Sequence, residues 1–433
     1  MKKELIFVHD WIGPNGPLPN LRSPTLYDIA SVLRFVTIER EHLDLGPRSM
    51  YSDFLEYVKD IRLVPTSEIE SIGNKNFVYE LQLDIKIFDH EFSDGVGVLD
   101  KIILDSRIYD RIKRKQGYLL LTTLFESFLE DEVFLAMHRY FQNKGIPLDR
   151  IIYFTNCING DEIYQNFCKR NAITPLIKCE YIGLYVIQQV QEVIKNKTMF
   201  LKRSPKNKES LFLNFNRRTR SHRYTFLFKM LEYNLLDKIK MSFDRPNYFS
   251  KLMLEYHSLE SKYKIKNLNR EILQNLYNQL PFVLDTNNFN KFPMEDNLLD
   301  TAYLYETTHI SLVSETNFEN NIVHITEKTL KPIIFLHPFI TIGPAYTLKY
   351  LKEMGFRTFD KFWDESYDNC LDPVERMIKV VSIIYEISNW PKEKLKKFEK
   401  DITSIVHHNF LNLFKVKEPT PLVNFIEKYG ELK

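Results

Sequence analysis

Glycine is scarce: the chain has 433 residues and only 13 of them are Gly. Gly-rich phosphate loops and flexible linkers therefore have little to be built from. Neither a G-x-G-x-x-G fingerprint nor a P-loop pattern occurs, which weakens any dinucleotide or kinase reading. Cysteine is rarer, with Cys157, Cys168, Cys179 and Cys370 the full set. No two are spaced C-x-x-C, so zinc and dithiol motifs lack support and a reducing intracellular compartment is the simpler expectation. No apolar run reaches membrane-spanning length. The opening MKKELIFVHDWIGPNG is basic at its start, but its apolar run breaks at His9 and Asp10. It reads as a first strand and not as a signal peptide. A net charge of +2 argues against a protein whose whole surface is a nucleic-acid footprint, while leaving local basic patches open.

What the chain does have is core material. Hydrophobic residues make up 44%, charged residues 27%, and there are 32 Phe and 24 Tyr, the balance of a globular protein with a large core. The length exceeds one ordinary domain and favours two. ELIFVHD, FVYELQLDI, KIILD, GYLLLTTL and IIYFTNC read as buried strands. Between the last two, ESFLEDEVFLAMHRYFQNKG carries a helical apolar face closed by Gly145. Strand, helix, strand at this spacing is a parallel α/β unit. KNKTMFLKRSPKNKES, from Lys195 to Ser210, reads as a basic linker. The pattern restarts with the strand LFLNFN and a helix from SHRYTFLFK, with Ser221 as the expected N-cap. KIKMSF, HISLVSE and PFITIG follow as strands. NLLDTAYLYETT, TEKTLKPIIF and YTLKYLKEMG follow as helices, and the chain after them is almost all helix.

The expected fold is thus α/β, with two α/β domains facing a cleft and a helical C-terminal tail. The boundaries are 1–200 for the first domain, 210–390 for the second and 391–433 for helices packing back across them. In such sheets ligands gather beyond the carboxyl ends of the strands, which directs attention to two clusters. NFNRRTRSHR places Arg217, Arg218, Arg220, His222 and Arg223 where a strand turns into a helix, a place suited to a phosphate or pyrophosphate. A solvated basic turn is the plainer alternative. In TEKTLKPIIF, Thr326 caps the helix, Glu327 and Lys328 lie in its first turn, and Lys331 is one turn on. A glutamate there can accept two ribose hydroxyls and a lysine can neutralise a phosphate. A capped helix start with a favourable acidic residue explains the same residues equally well.

The residues ITEKTLKPIIFLHPFITIG resemble the C-terminal donor-site signature of fucosyltransferase-like glycosyltransferases. There a Tyr/Phe-x-Thr-Glu-Lys helix start precedes a small-residue or proline turn and a PxxxG-like strand. LKYLKEMGFRTFDKFWDESYD is similar to a phage and marine-microbe branch of those enzymes. Its recurring runs stand here at Glu327 to Pro332, His337 to Phe339, Gly355 to Phe359 and Asp364 to Asp368. LNFNRRTRSHR resembles that branch's arginine-rich start of the second domain. The resemblance covers about residues 210 to 380, and it implies a GT-B fold: two Rossmann-like domains, the first (1–200) on the acceptor side and the second (210–390) binding the nucleotide-sugar. By position it implies that Glu327 holds the donor ribose, and that Lys328 and an arginine of the 217 to 223 cluster hold the pyrophosphate. His324 stands where those enzymes often carry an aromatic residue, and FLHP replaces their small turn.

Glycosyl transfer needs stabilisation of a departing diphosphate and a base for the acceptor hydroxyl. No Asp-x-Asp motif is present, so the expectation is a metal-independent enzyme without a cofactor, in which fixed cations replace the metal. Glu126 and then Asp10 are the candidate bases, each with a helix-start or turn role as its alternative. Glu315 is a candidate donor contact or a cap for the next turn. His309, His337, His407 and His408 are expected to be structural. The leading reading is an inverting transferase that moves a sugar from a nucleotide-sugar donor to a glycan hydroxyl in the cytoplasm (the host's, if the protein is viral). One alternative is a DNA glycosyltransferase acting on hydroxymethylated pyrimidines of phage DNA, with KRSPKNK and PKEKLKK meeting the phosphate backbone. A second is a non-catalytic nucleotide-sugar-binding protein.

Overall fold

The structure, a computed structural model, describes residues 3–9, 61–82, 105–123, 129–181, 183, 193, 207–216, 219–284, 301–415 and 428–432. It divides into two units, Met1–Leu184 together with Val416–Lys433, and Tyr185–Lys415. The division falls upstream of the basic segment expected to be the linker. The C-terminal region is shared between the units: the helices up to Lys415 belong to the second, and the residues after it to the first.

The first unit is built on strands β1 (Lys3–His9), β2 (Ile61–Pro65), β3 (Phe77–Gln82), β4 (Gly117–Thr123), β5 (Ile151–Thr155) and β6 (Lys178–Tyr181). They lie parallel in the order β2-β1-β3-β4-β5-β6, and Glu431–Leu432 pairs antiparallel with the start of β1. All five residues of β5 are buried, as a strand covered on both faces requires. Helices α1 (Ser106–Lys113), α2 (Asp131–Asn143) and α3 (Gly160–Arg170) accompany these strands. Phe134 of α2 meets Tyr164 and Phe167 of α3 at ring-centre distances of 5.2 and 5.1 Å. Asp105, expected to end a strand, instead caps α1 by accepting from Arg107 N. The candidate bases Asp10 and Glu126 lie outside the described residues.

The second unit holds β7 (Ser210–Asn216), β8 (Ile239–Phe243), β9 (Thr308–Ser314) and β10 (Phe339–Ile342), all parallel in the order β8-β7-β9-β10. Its helices are α4 (Ser221–Glu232), α5 (Phe249–Glu260), α6 (Arg270–Gln279), α7 (Ala302–Glu306), α8 (Glu327–Ile334), α9 (Thr347–Glu353), α10 (Pro373–Ser388), α11 (Lys392–Asp401) and α12 (Thr403–Lys415). Both units are doubly wound α/β structures, because strand order reverses at β1 in one and at β7 in the other. No helix among the described residues is long and apolar enough to cross a membrane.

The first helix of the second unit is capped one residue earlier than the sequence reading has it. Arg220, in extended backbone, is the N-cap of α4, and Ser221 is its first helical residue. Near the C-terminus α11 and α12 are separated by a break at Ile402.

Two buried charges tie the second unit together. Asp368 accepts from Leu348 N (2.8 Å) and Lys349 N (2.9 Å), and so caps α9 from a distant loop. Its neighbours in the Asp364–Asp368 run also work internally. Asp364 holds Ser366 N (2.8 Å), Glu365 accepts from Phe359 N (2.8 Å), and the Tyr367 hydroxyl accepts from Thr341 N (3.3 Å). Arg376 is 1% exposed. It donates to the carbonyls of Gly343 (3.0 Å), Cys370 (2.5 Å) and Leu371 (3.3 Å), and to that of Phe318. One guanidinium thus satisfies carbonyls on three loops, which its planar fork suits and a lysine does not. Arg376→Met is expected to leave these carbonyls unpaired and to lower the stability of the second unit by at least ~3 kcal/mol, read from its denaturant unfolding midpoint.

Candidate functional site

Strand order reverses at β7, and in an open α/β sheet the usual place for a ligand is beyond the carboxyl ends of the strands at such a reversal, here β7 and β9. Asn216 ends β7 and Ser314 ends β9. Asn214 and Asn216 are both fully buried. Asn214 Nδ2 donates to Leu312 O (2.6 Å), and its Oδ1 accepts from Asn216 Nδ2 (2.5 Å). That chain of donors fixes both amide orientations and leaves Asn216 Oδ1 buried without a hydrogen-bond partner. Asparagine is disfavoured inside strands, and that is the signal in LFLNFN that marks these two residues. Neither is among the candidate site residues named from the sequence.

Glu315 follows β9 immediately and is 0% exposed. Its Oε1 accepts from Thr329 Oγ1 (2.5 Å) and Thr326 N (3.3 Å), and its Oε2 from Thr326 Oγ1 (2.7 Å) and Thr316 N (3.2 Å). Both oxygens are occupied by the protein itself. The carboxylate binds the end of β9 to the start of α8, as a cap for that helix start. Thr326, the N-cap, in turn accepts from Lys328 N at 3.3 Å.

This lock sets the orientation of the first turn of α8. Lys328 Nζ donates to Glu327 Oε1 (2.8 Å) and lies 3.4 Å from Thr316 Oγ1. The Glu327 and Lys328 side chains are 11% and 25% exposed. Burial pushes the Glu327 carboxyl up. The Lys328 ammonium, its hydrogen bond and the charge of Lys331 together outweigh burial and hold the carboxyl below the usual glutamate range. Arg220 Nη1 donates to Thr316 O at 3.1 Å. Thr316 is therefore touched by both Arg220 and Lys328, and it brings the arginine-rich turn and the Thr-Glu-Lys helix start to one place. Arg217 and Arg218 lie outside the described residues.

The remaining members of the arginine-rich turn face inward. Arg223 is 3% exposed, and its Nη2 donates to Ser314 O (3.2 Å) and Glu315 O (3.3 Å). His222 Nε2 lies 3.1 Å from the same Glu315 carbonyl. A carbonyl only accepts, so that nitrogen carries the proton. The His222 ring stacks on Phe318 with centres 5.5 Å apart. Desolvation, then the neighbouring Arg223, pushes His222 down to about 3. The other histidines make structural bonds. His337 is held by Ser311 Oγ (2.8 Å) and Thr308 O (2.9 Å), His309 by Glu399, His407 by Thr403 O and His408 by Gly355 O. Among the described residues no cluster of three or more His, Cys, Asp or Glu side chains is placed to hold a metal ion.

His222 and His337 give a pH dependence with a definite sign. Both are pushed down to about 3, chiefly by burial, and both titrate near 6.5 when unfolded. Their contribution is complete above pH ~6.5 and is lost as pH falls toward 3. The second unit is expected to lose denaturant stability from pH 6 downward, before ordinary carboxylates titrate. His337→Gln is expected to make that slope shallower by up to ~1.4 kcal/mol per pH unit, measured from denaturation midpoints between pH 7 and 4.

The sequence matches no protein-family profile and no curated protein. Three solved structures align over nearly its whole length. The α,α-trehalose 6-phosphate synthase of Burkholderia multivorans aligns with TM-score 0.40 and 10% identity over 99% of this chain and 96% of that one. The UDP-forming α,α-trehalose-phosphate synthase of Burkholderia vietnamiensis aligns with TM-score 0.41 and 9% identity over 98% and 99%. A trehalose-6-phosphate synthase solved with bisubstrate glycomimetics, in work on glycosyl transfer with retention, aligns with TM-score 0.40 and 11% identity over 98% of each chain. Likeness at this level decides neither substrate nor mechanism.

Proposed function

We propose that this chain is a glycosyltransferase of the GT-B class that transfers a sugar from a nucleotide-sugar donor to an acceptor hydroxyl on a glycan. The observation that carries the reading is the meeting of Arg220 and Lys328 at Thr316, beside the Glu327 carboxylate, past the carboxyl ends of β7 and β9. A nucleoside diphosphate needs this set. Glu327 accepts hydrogen bonds from the ribose hydroxyls, and Lys328 and Arg220 neutralise the diphosphate, with Lys331, Arg217 and Arg218 adding positive charge. Glu315, Thr326 and Arg223 act through position, by fixing the helix start and the end of β9.

In the reaction, the acceptor oxygen attacks the anomeric carbon while the bond from that carbon to the diphosphate oxygen breaks. The electron pair leaves with the diphosphate, whose growing charge Lys328 and Arg220 stabilise without a metal. A base takes the acceptor proton. We assign that base to the first unit, to Glu126 in the first place and Asp10 in the second. Single in-line displacement inverts the anomeric centre, and an anomer-retaining product seen by NMR overturns this step. A cytoplasmic setting suits four cysteines that are all buried and in no disulfide.

The test is a thermal-shift panel of UDP-, GDP-, CMP- and dTDP-sugars without added metal, since a ligand that binds only the folded state raises its melting temperature. One nucleotide is expected to shift the protein. Lys328→Ala is expected to weaken that nucleotide at least tenfold, about the value of one charge-assisted hydrogen bond, with the unliganded melting temperature unchanged. A lower unliganded melting temperature with unchanged affinity makes the cluster a structural helix cap. Binding without turnover on any acceptor favours the non-catalytic reading.

A further inference from the structure

A concave site lies in the same unit, away from Glu327 and Lys328. A cavity of about 850 Å³ opens between the loop after α9 and helices α11 and α12, a size suited to a small-molecule ligand. It sits toward the amino-terminal edge of the sheet. Phe359 of its loop packs on Phe339, the first residue of β10, at 5.3 Å, and Glu399 of α11 pairs with His309 near the start of β9 at 3.0 Å. Glu315 and Lys328 lie past the opposite ends of these parallel strands.

The walls are fixed by polar contacts from α12. Arg357 N donates to Asn409 Oδ1 (2.7 Å), and Asn409 Nδ2 returns a bond to Arg357 O (2.8 Å). Asn412 Nδ2 donates to Met354 O (2.9 Å), and His408 Nε2 lies 3.0 Å from Gly355 O. The floor is aromatic: Phe398 meets Phe362 at 5.0 Å and Trp390 at 5.5 Å.

Charge around the cavity is one-sided. Its two lining carboxylates are already engaged, Asp360 with Lys352 (3.2 Å) and Asp401 with Lys397 (2.5 Å). Lys394 reaches over the Trp390 ring at 4.0 Å and has Glu386 as a loose partner at 3.9 Å. Arg357 and Lys361 are exposed and take part in no ion pair among the described residues. The Arg357 guanidinium and the Lys361 ammonium thus stand beside an apolar floor without a paired carboxylate among the described residues, and Lys394 adds a third positive charge. We infer that this cavity binds a small organic phosphate, with its phosphoryl group on Arg357, Lys361 and Lys394 and its apolar part against Phe362. The inference is independent of the proposed glycosyl transfer.

The test is calorimetric titration of the full chain with phenyl phosphate and with inorganic phosphate, in the wild type, in Lys328→Ala and in the double variant Arg357→Glu/Lys361→Glu. Both changed residues of the double variant are exposed, so an unchanged melting temperature is expected and checks its folding. Phenyl phosphate is expected to bind the wild type and Lys328→Ala alike and more tightly than inorganic phosphate. The double variant is expected to weaken it at least tenfold, roughly the worth of a single charge-assisted hydrogen bond to the phosphoryl group. No binding to the wild type overturns the inference, as does equal binding to the double variant. Loss of binding in Lys328→Ala assigns the phosphate to the Lys328 cluster and also overturns it. Binding of a single-stranded oligonucleotide that strengthens with length, without binding of phenyl phosphate, makes the basic face a polyanion surface and overturns it as well.

Discussion

The candidate site depends on one buried carboxylate. Glu315 accepts four hydrogen bonds, two from backbone N–H groups and two from threonine hydroxyls. Without it, the end of β9 and the start of α8 would present unpaired donors to a dry interior, at a cost of ~1–3 kcal/mol each. With it, a strand end and a helix start eleven residues later in the chain form one rigid corner. A helix start held this firmly can aim Glu327 and Lys328, and a site of that kind needs its supporting contacts more than it needs additional charges.

The same corner explains why the arginine-rich turn splits in two. Arg223 and His222 spend their donors on the carbonyls that end β9, and burial keeps His222 neutral there. Arg220, at the N-cap position, reaches out to Thr316 and stays partly exposed. Position along the first turn of α4, and not residue type, therefore separates a buried clamp from a partly exposed cation. Arg376 and Asp368 repeat the principle elsewhere in the unit. Each is a buried charge satisfied by backbone groups, and together they fix the loop after β10 and the start of α9.

Several features were legible from local pattern. LFLNFN, HISLVSE and PFITIG are short, largely apolar runs and became buried parallel strands. TEKTLKPIIF showed its N-cap, because a threonine before an apolar-periodic stretch is a local signal, and Thr326 does accept from Lys328 N. Glu315 was open between a ligand contact and a cap. Its surroundings, four donors from Thr316, Thr326 and Thr329, come from segments that only the folded chain brings together. The Asp364–Asp368 run entered the sequence reading only through the family resemblance. Its role as a remote cap for α9 was not legible, since Asp368 lies 20 residues from Leu348. The strands Ile61–Pro65 and Lys178–Tyr181 were not anticipated either. They are short, and in each case pairing in the sheet, not a strong local pattern, makes them strands.

By itself, the sequence determined the class of the fold, the kind of elements in it and the chemical types gathered after its strands. Hydrophobic periodicity and capping are local properties and survive in a one-dimensional reading. Tertiary structure decided which charges are available and which are consumed. It turned Arg223, Glu315 and Asp368 inward, left Arg220 and Lys328 side by side on Thr316, and set Arg357 and Lys361 around a separate cavity. The physical reason is that the state of a charged side chain depends on its burial and on partners brought from distant segments, and neither is written in its neighbours along the chain.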